Sequence, residues 1–259
     1  MYKISRRAFT ALLALSTGLA VANQKADVVT LSFSDGRPSL VDTAAINTLL
    51  RGVGVYVGRV ELPARALPIL KASATSKLNE KQTAELLEIF ALNREQLLGQ
   101  VDVAGRKPVV TGGGSLVSGE VGVAPYPKVY DMMAMGPEDR KFVQNKFGKL
   151  HVNSADSGEG VDEVMSFIAG GPWTWYFALK DNVVVKLSLS RVRANGPGWR
   201  LSYPGLTPHG AFLDAANGVV IAHIYGPKTW VMRYDAPGVG APGLLGGNPW
   251  IDFTTGKAK

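Results

Sequence analysis

The chain has 259 residues, 46% of them hydrophobic, with 28 Lys and Arg against 21 Asp and Glu for a formal charge of +7. That is enough apolar material for one generous domain or two small ones. Cysteine is absent, which excludes disulfides, thiolate zinc sites, iron–sulfur clusters and a cysteine nucleophile, so any metal must be held by His, carboxylate or amide groups.

Residues 1–22, MYKISRRAFTALLALSTGLAVA, read as an export signal. A basic start (Lys3, Arg6, Arg7) is followed by a moderately apolar run from Ala8 to Ala22 that ends in Ala20-Val21-Ala22, a small-x-small cleavage site. The run is too short to span a membrane, and no acidic residue occurs before Asp27. Ser5-Arg6-Arg7-Ala8-Phe9 resembles the twin-arginine export motif, while Thr10 and Ala11 in place of its usual Leu-Lys ending leave an ordinary Sec signal open. The expectation is a periplasmic or secreted protein with no integral membrane segment after cleavage. Removing residues 1–22 takes away three basic and no acidic residues, leaving 25 against 21 and a net charge of +4. The remaining Lys and Arg are scattered, with no basic and aromatic stripe of the kind that binds nucleic acid.

After the signal the pattern is mixed. DVVTLSF (27–33) alternates like a strand, SLVDTAAINTLL (39–50) has helical spacing, and GVYVGRVEL (54–62) reads as a strand stopped by Pro63. KLNEKQTAELLEIFAL (77–92) predicts a helix capped by Asn79, and Asn93 opens a further turn, NREQLLGQ. GGGSLVSGEVG (112–122) is the best candidate for a boundary between an N-terminal α/β region, 23–120, and a C-terminal region, 121–259. It lacks the strand-to-helix context and Lys-Ser/Thr ending of a phosphate loop. GPEDRKFVQNKFG (136–148) predicts a short helix with Pro137 in its first turn.

From residue 149 the pattern becomes β. DEVMSFIA, WTWYFALK, VVVKLSL, VVIAHIYG and TWVMRYD follow one another, with Trp173, Trp175, Phe177 and Leu179 on one face and Val183, Val185, Leu187 and Leu189 on another. Within this stretch His151-Val152-Asn153 is followed by Glu163-x6-Gly170, and later Gly198 by Pro204-Gly205 and Thr207-Pro208-His209-Gly210. In order and β context these segments resemble the two motifs of the cupins, with Asn153 standing where the family's first motif has its second histidine and a longer insert before Glu163. The resemblance covers roughly a third of the chain, from 149 to about 235. It implies an α+β protein whose N-terminal α/β segment precedes an antiparallel, jelly-roll barrel.

The same resemblance implies a divalent first-row transition metal (Mn, Fe, Ni, Cu or Zn) on His151, Glu163 and His209, with Glu163 as ligand or catalytic base. Asn153, Trp175 and His223 would then contact a small-molecule substrate. The corresponding activity is that of an oxygenase, isomerase or lyase; the alternative is a metal-free barrel that binds a ligand or partner without turnover. Each residue has a plainer reading as well. His151 and Glu163 also suit solvent-facing positions at a helix end and a strand start. His223 shares a face with Val219, Ile221 and Tyr225 and suits a hydrogen-bonded core histidine. The tryptophans suit the core as well as a stacking platform, and Asp156 suits solvent unless it replaces the missing ligand. No Gly-x-Ser-x-Gly elbow supports a serine hydrolase.

Overall fold

The computed structural model describes residues 28–106, 126–193, 196–213, 218–236 and 243–259. The export signal expected at 1–22 and the boundary expected at 112–122 lie outside them. No helix among the described residues is long and apolar enough to cross a membrane.

Two antiparallel sheets face each other. The first has four strands in the order β1 (Val29–Phe33), β7 (Val184–Leu189), β6 (Trp173–Ala178) and β9 (His209–Phe212). The second has five: β2 (Tyr56–Val60), β8 (Gly198–Pro204), β5 (Asp162–Ala169), β10 (Val219–Tyr225) and β3 (Lys128–Asp131). A short pair, β4 (Val152–Ser154) with β11 (Val231–Arg233), stands at one end, and β12 (Ile251–Asp252) pairs with β13 (Lys257–Ala258) near the C-terminus. The N-terminal region supplies one strand to each large sheet, with Val29 opposite Leu189 and Tyr56 opposite Ser202.

Alternation along the strands explains the closure. On β6 and β7 the residues Trp173, Trp175, Phe177, Val185, Leu187 and Leu189 all point inward. They meet Phe167, Leu201 and Tyr203 of the five-stranded sheet; Phe167 lies 5.0 Å from the ring of Trp173, and Phe177 5.4 Å from that of Tyr203. The result is an α+β protein built on a jelly-roll-like barrel.

Helices cover the outer face of the five-stranded sheet. Ile69 and Leu70 of α2 (Leu67–Ala72) and Leu86 and Phe90 of α3 (Glu80–Phe90) pack on Ile168, Val219 and Ile221. Leu97 and Val101 of α4 (Arg94–Val103) pack on Val164 and Tyr225. With both faces covered, every residue of β5 and β10 is buried. Asn79 and Asn93 cap α3 and α4, each in a reciprocal box with the glutamine three residues on. Arg106, just past α4, is buried in an ion pair with Asp162 and donates to Ser202 Oγ at 2.6 Å, tying the end of that helix to β5 and β8. Two further helices are α1 (Thr43–Leu50), capped by Asp42, and α5 (Pro137–Phe147), whose last turn leads to His151.

Candidate functional site

The interior is not filled to its end. Where β4, β5, β8 and β9 meet, the barrel holds a cavity of about 90 Å³, and His151, Asn153, Glu163, Trp175, Tyr203 and His209 all border it.

Backbone pairing converges these residues. His151 and His209 sit opposite one another in an isolated antiparallel bridge, exchanging both backbone hydrogen bonds at 2.9 and 3.0 Å. Their rings are 4.4 Å apart. Asn153, two residues on, shares the inward side with His151. It is fixed by a 2.8 Å bond from its N–H to the carbonyl of Gly205. That contact explains the glycine, since a Cβ on residue 205 would lie 2.6 Å from Asn153 O and 2.8 Å from a Val161 methyl. Gly210 plays a similar part, because a Cβ there would press to 3.0 Å on the Phe147 carbonyl that leads into His151.

The polar groups form a tight cluster. Asn153 Nδ2 donates to Glu163 Oε1 at 2.7 Å, His209 Nε2 lies 3.3 Å from the same oxygen, and Asn153 Nδ2 and His209 Nε2 are 3.4 Å apart. Tyr203 donates to the other carboxylate oxygen, Oε2, at 3.0 Å, and Trp175 Nε1 donates to the Tyr203 hydroxyl at 3.3 Å. Both histidines turn Nδ1 to a backbone carbonyl, His151 to Lys149 O at 2.7 Å and His209 to Thr207 O at 2.8 Å. In the neutral ring of His151 that bond places the proton on Nδ1 and leaves the Nε2 lone pair free, the state in which imidazole binds metals.

Burial sets the charges. Desolvation pushes the Glu163 carboxyl up, but His209 beside it and the Asn153 amide outweigh that push, and it is held below its ordinary value as a carboxylate. Burial, helped by the Glu163 charge, raises the Tyr203 hydroxyl well above 10, so it stays a donor. Burial and the neighbouring His209 lower His151 to about 3, which keeps its ring neutral.

The structure thus brings His151, Asn153, Glu163, Trp175 and His209 together. It separates His223 and Asp156 from them. Val220, Ala222 and Ile224 of β10 point into the cavity, so His223 points out; its Nε2 accepts from Leu92 N–H at 3.3 Å under the helices. The substrate contact expected of His223 is therefore corrected to a core hydrogen bond. Asp156 is exposed and paired with Arg233, and so does not replace a ligand. The sequence alone assigns Tyr203 no role. Its only signal was its place just before Pro204-Gly205, and its function depends on the register that sets it opposite Glu163.

Among the described residues, no three His, Asp or Glu side chains are placed to hold a metal ion by themselves. The third corner of the cluster is an amide instead. The Asn153 amide, the Glu163 oxygen and the His209 nitrogen form a triangle with sides of 2.7, 3.3 and 3.4 Å. Donors about 2.0–2.2 Å from a common ion are separated by roughly 3 Å, which is the spacing of Glu163 Oε1 and His209 Nε2; the Asn153 corner is Nδ2, a hydrogen-bond donor and not a ligand. Asn153 Oδ1 is buried without a hydrogen-bond partner. By donor chemistry and spacing, Glu163 and His209 fit two positions around a divalent ion.

No family model matches the sequence, and no curated protein does. Among solved structures the fold is similar to that of an acireductone dioxygenase from Bacillus anthracis with a cadmium ion in its active centre, at 17% identity and a TM-score of 0.50, over 81% of this chain and 99% of the other. The likeness is one of fold, and it places this chain in the α+β class with a cupin-like barrel.

Proposed function

We propose that this chain is an exported, divalent-metal-dependent enzyme of oxygenase type that acts on a small molecule inside the barrel. The observation that carries the reading is the buried triangle of Asn153, Glu163 and His209 beside the neutral ring of His151. Glu163 and His209 supply a carboxylate and an imidazole at ligand spacing, the donor types used for non-haem iron and related ions, and His151 lies beside them as the nearest further imidazole. The solved dioxygenase of similar fold, with its cadmium ion, supports the same direction. A bound first-row ion would polarise a substrate oxygen and, if redox-active, activate dioxygen.

The chain's own residues do the rest. Tyr203 holds Oε2 of Glu163 and so turns Oε1 toward the histidines. Glu163, kept ionised, serves as ligand or accepts a proton. The apolar walls keep water from the polar end. Export rests on residues 1–22, and N-terminal sequencing of the mature protein should find Asn23; an intact Met1 on soluble cytosolic protein overturns it.

A metal-free ligand-binding barrel is the second reading. It is favoured by the bonds from Asn153 Nδ2 and Tyr203 that occupy both Glu163 oxygens without an ion. Metal analysis of protein purified from its native compartment separates the two. The enzyme reading expects about one transition-metal ion per chain, lost in His209→Ala; metal-free protein that still binds small molecules selects the second reading.

A further inference from the structure

We infer that the barrel cavity takes an uncharged, largely apolar molecule carrying a single hydroxyl, a phenol or enol rather than a carboxylate, phosphate ester or sugar. This rests on the proposed site but names the ligand class that the site admits. Among the described residues that line the cavity there is no Lys or Arg, so an anionic substituent would find no lysine or arginine to pair with and would compete with the Glu163 carboxylate for any cation at the polar end. A sugar would bring several hydroxyls to a wall made mainly of Met, aromatic and aliphatic groups, where most would lose their hydrogen bonds.

The wall also has a distinctive texture. Four of the chain's six methionines, Met132, Met135, Met165 and Met232, border the space, and Trp175 and Trp230 supply aromatic surface. Thioether side chains are soft and adapt to the outline of a ligand. The cavity therefore selects on polarity more than on shape.

Apart from the paired hydroxyls of Tyr126 and Tyr130, the polar side chains cluster around Glu163, and there the structure shows an unmet need. Asn153 is 3% exposed, and its Oδ1 accepts nothing from the protein. The Glu163 oxygens, by contrast, already receive Asn153 Nδ2 and Tyr203. Once the Asn153 side chain turns its Oδ1 into the cavity, one ligand O–H satisfies the orphaned acceptor at the end lined by His151 and His209. Lys228 and Arg233 line a separate surface depression that meets the cavity only at Tyr126 and Trp230, and Arg233 is engaged by Asp156 and Ser154.

The test is fluorescence-monitored binding of 2-naphthol, 2-naphthoate and 2-methoxynaphthalene to the full mature chain, after chelation and again after loading with Fe²⁺ or Ni²⁺. The expected result is 2-naphthol binding at least ten-fold more tightly than either analogue, in both preparations. Met135→Lys, which puts a cation on the wall, should shift the preference toward 2-naphthoate. Ala222→Leu should weaken 2-naphthol binding while thermal unfolding reports whether the variant folds; if it does not, the Met135→Lys shift decides. Naphthoate bound as well as naphthol, the methyl ether bound as well as naphthol, or no binding of any of the three overturns the inference. Failure to take up metal with naphthol still preferred overturns the enzyme reading alone. Metal uptake with the charged analogue preferred overturns this inference alone.

Discussion

Tyr203 stands directly across the β5–β8 ladder from Glu163 and donates its hydroxyl hydrogen to Oε2 at 3.0 Å. One carboxylate oxygen is thereby occupied, and the other is presented to Asn153 and His209. Trp175 donates in turn to the Tyr203 oxygen, so the orientation of Glu163 is held by two side chains from two sheets. Partners of this kind orient a ligand and tune its basicity, and losing one typically costs about 10–100-fold in metal affinity. Tyr203→Phe keeps the ring against Phe177 and removes only the hydroxyl. It should weaken divalent-ion binding by about that factor, measured by titration calorimetry, and lower stability by about 1–3 kcal/mol. A variant with parental ion affinity and only a lower melting temperature would show that the hydroxyl serves the fold alone.

Gly205 allows the backbone of the turn after β8 to lie against Asn153 and Val161. A methyl group there would meet two backbone oxygens and a side-chain methyl, at 2.6 to 2.9 Å, with no flexible side-chain tip to yield. Gly205→Ala must therefore move β4 away from the turn. The expected cost is about 1–3 kcal/mol in urea unfolding, accompanied by reduced ion binding because Asn153 moves with its strand. Unchanged unfolding and ion binding would show that the turn relaxes without disturbing the site.

The parts of the fold visible in the sequence were those with one covered face or a local signal. Alternation on β6 and β7 marks Trp173, Trp175 and Phe177 as inward, and the i, i+2 spacing places His151 and Asn153 on one side. The caps Asn79 and Asn93 announce their helices locally. β5 and β10 are different. Helices bury their outer faces, so DEVMSFIA and VVIAHIY are continuous buried runs with no phase to show which residues look inward. Their orientation comes from the register that pairs Ile224 with Glu163, a contact between residues 61 positions apart, and this is why His223 could be read toward the substrate. The recruitment of β1 and β2 into the two sheets was equally hidden, since strand partners so distant in sequence leave no local trace.

Arg106 and Asp162 form an ion pair with side-chain exposures of only 4% and 0%. Removing one member of such a pair takes the counter-charge from the other buried group, which costs about 3–5 kcal/mol, whereas replacing both with apolar groups of similar volume is often neutral. Arg106→Ala should therefore destabilise strongly, and the double variant Arg106→Met, Asp162→Leu should recover most of the loss in denaturant unfolding. Because Ser202 Oγ also donates to Gln100 O, the single variant should loosen α4 as well, seen as faster amide exchange over residues 94–103. A double variant no more stable than Arg106→Ala would mean that the arginine acts through packing and not through its charge.

His223 makes the stability depend on pH in a calculable direction. Burial, with the nearby Arg200 charge, lowers its pKa from 6.5 to about 4 in the folded chain. Between those values the unfolded chain binds a proton that the folded chain does not, so stability rises with pH across this window. It is fully present above about pH 6.5, falls as the pH drops toward 4, and changes no further below that on account of this residue. The shift corresponds to about 3 kcal/mol over the window. His223→Gln removes the titration while keeping an acceptor for Leu92 N–H, the bond that anchors the link between α3 and α4. Urea unfolding of both proteins at pH 7.5 and pH 4.5 should show the parent losing about 3 kcal/mol more than the variant between the two conditions. Equal losses in the two proteins would locate the acid sensitivity elsewhere and leave His223 as a hydrogen-bonding residue only.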